Sequence, residues 1–289
     1  MLRSADSGEP EMFDKKTAFQ KEWNRFLRRE ERLLGRYSRS AGPFWERKLE
    51  QAVPAGLQEK LEAAFYRAFR LILEKGTGII EKTYSRERLE AEYRTREFAA
   101  FLYPEKKNVT AGRKAAGKGK YAGVAASYLE GAALGVLGIG LPDIPLFLSA
   151  ILRGLYTQAL HFGIDYRKPE EQKFILELLI LSLERGDQLR EKDAAMNRRI
   201  FQMEKNQEQG GGRLDPDELI RRAAGVLSDE LLYMKFLQGI PLAGVIGGMY
   251  DGVCMKRIMD YAGIKMERRW LLRQELRHLE KKAIGGEQT

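Results

Sequence analysis

Apolar residues recur at helical spacing along most of the chain. Between Lys15 and Arg39, Phe19, Trp23, Phe26, Leu27, Leu33, Leu34 and Tyr37 stand mostly three or four positions apart among charged residues, which predicts a basic amphipathic helix. Gly42-Pro43 and Pro54 to Gly56 interrupt the pattern. Leu57, Leu61, Phe65, Ala68 and Ile72 then mark the inner face of a second helix, which Gly76 and Gly78 loosen. Ser85 reads as the cap of another helix that runs to about Tyr103 and stops at Pro104. The stretch 105–120, rich in lysine and glycine, reads as a basic loop or a loop leading into a helix start. Residues 121–164 follow, with a Gly/Ala-rich apolar arm meeting a Leu/Ile-rich arm at LPDIP, and they predict a helical hairpin.

Further on, Pro169 opens a helix whose segment Phe174 to Leu183 is apolar on almost every side and therefore buried. A polar helix runs from Gly186-Asp187 to about Gln209, and Gly210-Gly211-Gly212 forms a flexible linker. Asp215-Pro216-Asp217-Glu218 is a helix start with an acidic first turn. Pro241 begins a small-residue helix within 236–250, and a basic helix from about Ile264 to Lys282 closes the pattern. Val and Thr occur seven times each, too rarely for a substantial sheet. The fold class is all-α: a single multi-helix domain over 12–283 with the buried Gly/Ala-rich hairpin at its centre and basic amphipathic helices at its periphery. Residues 1–11 read as a disordered lead, 209–213 as the linker and 284–289 as a disordered tail.

Charge narrows the partners without choosing one. A formal charge of +9 at pH 7 favours an anionic partner, and no nucleic-acid motif accompanies it. The single cysteine, Cys254, excludes an intrachain disulfide and a multi-thiolate metal site, and suits a reducing cytosol. The first residues carry no apolar stretch of the kind a signal peptide needs. No catalytic set, cofactor motif or metal-ligand pattern stands out. Gly112 to Lys118 fits GxxxxGK, but Gly119 replaces the Ser or Thr that would hold magnesium, so a nucleotide site is rejected.

The segments EGAALGVLGIGLPDIPLFLSAILRGLYTQALHFGID, KPEEQKFILELL and GIPLAGVIGGMYDGV, with KGTGIIEKTY nearer the start, resemble the EcsC family over roughly residues 13–282. That family is named for a bacterial operon whose other products form an ABC transporter, so the resemblance implies a transporter as a candidate partner, and it carries over no catalytic residues. Glu130, Gly131, Asp143, Pro145, Gly163, Asp165, Pro241 and Gly248 stand at its recurrent positions.

Asp143 is the sharpest candidate, because a carboxylate inside a long uncharged run must be hydrogen-bonded or shift its pKa. Its position between two arms makes it a natural N-cap of the second. Glu130 and Arg153 lie on opposite arms at comparable depth and predict a cross-helix ion pair. His161 and Asp165, four residues apart, suit a contact at a helix end rather than a metal. The pairs Gly131/Gly135 and Gly244/Gly248 allow close helix approach.

Each hairpin arm is long enough to span a bilayer, yet Glu130 and Arg153 make spanning costly, so burial in protein is the expected state. The leading functional expectation is a cytoplasmic protein docked peripherally on the inner face of an anionic membrane through its basic helices. The alternative is a soluble helical protein that holds a lipid-like or apolar ligand in a core pocket lined by Asp143 and Glu130.

Overall fold

The structure, a computed structural model, describes residues 17–38, 56–119, 143–205, 215–237 and 250–286. Among the described residues the regular structure is entirely helical. Helix α1 (Ala18–Tyr37) opens with a reciprocal cap in which the Gln20 amide donates to the Thr17 hydroxyl at 3.1 Å and the Thr17 amide to the Gln20 side chain at 2.8 Å. Its inward row is Glu22, Phe26, Glu30 and Leu34, at steps of four. Two of those are glutamates that a hydropathy pattern places outside, while Leu27, expected inside, is 38% exposed.

Helix α2 (Leu57–Leu71) buries Leu61, Ala64, Phe65, Ala68 and Phe69. It widens into a single π turn over Ile72–Gly76, the loosening expected at Gly76, before the short α3 (Thr77–Glu81). Helix α4 (Arg86–Leu102) begins where Ser85 accepts the Arg88 amide at 3.3 Å, and it stops before Pro104. The stretch 105–120 is not a loop over its described part. It forms α5 (Lys106–Val109) and α6 (Ala111–Gly119), joined at Thr110, whose hydroxyl donates to the Lys106 carbonyl at 2.8 Å. Alanine and lysine are good helix formers, and burial of Val109 and Ala116 outweighs the glycines that suggested a loop.

The second hairpin arm is α7 (Asp143–His161), and it is core: Ile144, Leu148, Ile151, Leu152, Leu155, Tyr156 and Ala159 are buried. It packs against α2, α4, α6 and the last helix. Helix α8 (Pro169–Leu183) starts on its proline with Glu170 and Glu171 in the first turn and is buried on most sides, as its composition predicts. Helix α9 (Gly186–Glu204) turns Leu189, Asp193, Met196 and Ile200 inward. Helix α10 (Pro216–Leu237) starts at the expected acidic cap, where the Asp217 amide donates to the Asp215 carboxylate at 3.2 Å, and packs between α2 and α8.

The last helix, α11 (Tyr250–Gly286), is a single element of 37 residues, about 55 Å at 1.5 Å per residue. No proline lies within it, so it begins well before the start expected near Ile264 and runs on into the stretch expected to be a tail. It is also central rather than peripheral. Residues 257–259 and 261–267 are buried in sequence, against α1, α7, α8 and α9. The first hairpin arm, the linker at 209–213 and the Pro241 helix start lie outside the described residues.

Candidate functional site

Two motifs marked in the sequence meet in space. The chain leaves α7 at His161 and turns through Gly163, in the left-handed region at φ +70°, so that Asp165, Tyr166 and Arg167 fold back toward KGTGIIEKTY. The Tyr166 hydroxyl donates to Glu81 at 2.8 Å, and Arg167 clamps the same carboxylate through Nε at 2.9 Å and Nη2 at 2.6 Å. The Tyr84 and Tyr166 hydroxyls lie 2.7 Å apart. Arg86 donates to Asp165 at 2.8 Å and to Glu90 at 2.6 Å, and its guanidinium lies 4.9 Å from the centre of the Tyr166 ring. The Tyr156 ring of α7 stacks on the Tyr166 ring with centroids 4.2 Å apart, and Arg153 donates to the Thr83 carbonyl at 2.7 Å.

The electrostatics of this knot favour holding over reacting. The Arg167 hydrogen bonds keep the Glu81 carboxyl below its usual range, so it stays ionised and is a weak base. Burial raises Asp165, but the Arg86 hydrogen bond and the Arg167 amide outweigh it and lower it. Burial pushes the Tyr166 hydroxyl up to about 12, and burial with the Tyr166 hydrogen bond raises Tyr84 further. Neither phenol supplies a phenolate near neutral pH. Asp165 therefore pairs with Arg86 rather than with His161.

His161 is buried at the far end of α7, with Nδ1 3.2 Å from Arg96 Nη2. Arginine only donates, so Nδ1 is the acceptor and the ring proton sits on Nε2. Burial, then the Arg96 charge, lowers its pKa to about 4. The described residues contain no cluster of metal-ligand type around it.

A second constellation was not legible as a site. Lys265, fully buried in α11, donates to Glu30 at 2.8 Å and to Asn197 at 2.8 Å, and pairs with Asp193 at 2.5 Å. The Tyr261 hydroxyl donates to Asp193 at 2.9 Å, and Arg268 clamps Glu30 from the other side. Burial alone would raise Glu30, but Arg268 and Lys265 hold it below its usual value. The network continues along α11. Glu267 receives Arg29 at 2.7 Å with Arg113 at 3.6 Å, and Arg269 and Arg273 share Glu204 at 2.8 Å and 2.9 Å. A cleft of about 420 Å³ between α1 and α9 reaches Glu30, Asp193 and Asn197, with Leu27, Leu34 and Arg190 on its walls.

The surface feature that stands out is the end of α4. Phe98 and Tyr103 are each 64% exposed, Leu102 45% and Phe101 44%. Lys106 and Lys107 follow them, exposed, and Lys114 is exposed on α6. Among the described residues none of these three lysines makes an ion pair, whereas Arg113 beside them reaches Glu22 and Glu267.

Of the residues singled out in the sequence, Asp143 begins α7, but its side chain lies outside what is described. Glu130, Gly131, Gly135, Gly244 and Gly248 lie outside the described residues, so the Glu130–Arg153 pair has only its Arg153 half on view. Gly112 to Gly119 are helical, which leaves no loop to cradle a phosphate. No helix of the described residues is long and apolar enough to cross a membrane.

Compared with known protein families, the chain matches the EcsC protein family over residues 19–271. No curated protein and no solved structure matches the chain.

Proposed function

The chain belongs to the EcsC family, and from that premise we propose that it is an accessory protein docked peripherally at an anionic, cytoplasmic-face membrane surface through α5 and α6. The observation that carries this reading is how the charge is sorted. The cations along the buried part of α11 are committed inside the protein: Lys265, Arg268, Arg269, Arg273 and Arg277 all have carboxylate partners. Among the described residues Lys106, Lys107 and Lys114 have none, and they face solvent. An ammonium group of that kind gains about 1 kcal/mol near an anionic leaflet. These lysines also come just before the apolar stretch 121–142. Within this reading, the transporter implied by the family resemblance is the protein served at that surface.

Cell fractionation tests it. The protein should sediment with membranes at low salt and be released by high salt, because exposed charge pairs are screened over about 8 to 10 Å at physiological ionic strength. Recovery wholly in the soluble fraction at low salt would sink the proposal. Retention through alkaline carbonate would replace docking with insertion of the apolar stretch.

A further inference from the structure

We infer that the bilayer contact is a built interfacial anchor at the end of α4: Phe98, Phe101, Leu102 and Tyr103, flanked by Lys106 and Lys107, seated on a phospholipid surface with anionic headgroups. This rests on the peripheral reading above and names the part that touches lipid. The large hydrophobics exposed elsewhere in the described residues, Leu27, Phe201 and Val253, are isolated, whereas these four fall within six consecutive positions. Scattered exposed apolar residues need no explanation; a contiguous group does. Phe98, Phe101 and Leu102 stand at i, i+3 and i+4 and so share one face of the last two turns of α4.

The corner that carries the group is fixed. Pro104 ends α4, and the Asn108 side chain donates back to the Tyr103 carbonyl at 2.8 Å and toward the Ala99 carbonyl at 3.4 Å. The α4 end and α5 are thereby held as one unit, with the lysines next to the aromatic face. Tyrosine and lysine both bury an apolar body while keeping a polar tip in water, and aromatic residues concentrate at the headgroup level of bilayers. The lysines have no counter-ion among the described residues, so the complementary surface is negative. An apolar face bordered by ammonium groups fits a bilayer of anionic lipid better than an acidic protein, because the exposed side chains of Phe98, Leu102 and Tyr103 also have to be covered.

The test is co-sedimentation of the full-length protein with vesicles of phosphatidylcholine alone and of two parts phosphatidylcholine to one part phosphatidylserine. The unaltered chain should bind the mixed vesicles and barely bind the neutral ones. Phe98→Ser with Tyr103→Ser should weaken binding about tenfold or more. Lys106→Glu with Lys107→Glu should weaken it at least about fivefold per lysine. Both double variants should keep the wild-type helicity and thermal midpoint, since all four side chains are exposed. Tyr103→Cys carrying a polarity-sensitive dye should shift to the blue on mixed vesicles, and labelling is selective because Cys254 is fully buried. If the unaltered chain binds the mixed vesicles and both double variants bind equally well, the anchor is elsewhere and the peripheral reading stands. If the unaltered chain binds neither vesicle, both fall. If the aromatic variant instead dissolves a vesicle-independent dimer, a second copy of the chain is the occupant and the inference is overturned.

Discussion

Gly163 shows how much a single position carries. Its φ of +70° lies where an L side chain is strained, and a Cβ there would stand 2.2 Å from the Tyr93 ring. Tyr93 has little freedom to move aside, because its hydroxyl donates to Glu97 at 2.5 Å and receives Arg273 at 3.3 Å. Gly163→Ala should therefore lower stability by about 2 to 4 kcal/mol, combining left-handed strain with overpacking, as read from urea unfolding. A loss below about 1 kcal/mol would mean that the ring yields easily. The sequence marks Gly163 only as a recurrent position of the family it resembles. It does not reveal Tyr93, seventy positions earlier. Asp165 was legible as a carboxylate in need of a partner, but the nearby His161 suggested the wrong one, because the turn at Gly163 sends Asp165 to Arg86 and leaves His161 with Arg96.

At the scale of the element, α11 departs most from its pattern. Its many lysines and arginines read as a solvated face, which is where such residues usually lie. Here Lys265 is fully buried and its partner Glu30 comes from α1, at the other end of the chain. Two half-polar helix faces that look exposed in isolation cover one another. Removing one member of a buried ion network strands the rest in a low-dielectric interior. Lys265→Met should cost about 3 to 5 kcal/mol, and adding Glu30→Gln with Asp193→Asn should restore part of that loss by removing the stranded charges. The measurement is the urea midpoint of the two variants. A triple variant less stable than the single one would show that the network stabilises beyond the avoidance of unpaired charge. In α1, Glu22 and Glu30 keep step with Phe26 and Leu34 at intervals of four, a spacing that hydropathy alone discounts.

For the whole molecule, acid should act in two stages of the same sign. The pKa of folded His161 is lowered from 6.5 to about 4, so the unfolded chain binds its proton first and stability declines as pH falls from about 6.5. Glu30, Glu81, Asp165 and Glu204 have lowered pKa values in the fold, so their contribution is complete above the unfolded carboxylate range and is lost as pH falls through it. The urea midpoint should fall modestly between pH 7 and 5.5 and steeply below about 4.5. His161→Gln should abolish the first decline and leave the second. If both declines persist in that variant, His161 is not the neutral buried imidazole described above. The sequence alone determined the all-α class, the family, most helix starts and the buried character of α7 and α8. Those follow from periodicity, capping residues and local composition, which act over a few neighbouring positions. Only the tertiary structure decided that 106–119 folds as two helices, that α11 is one central helix, and which charges are paired inside and which face solvent. The pairing of a charge depends on what faces it across a helix interface, and residues distant in the chain supply that face.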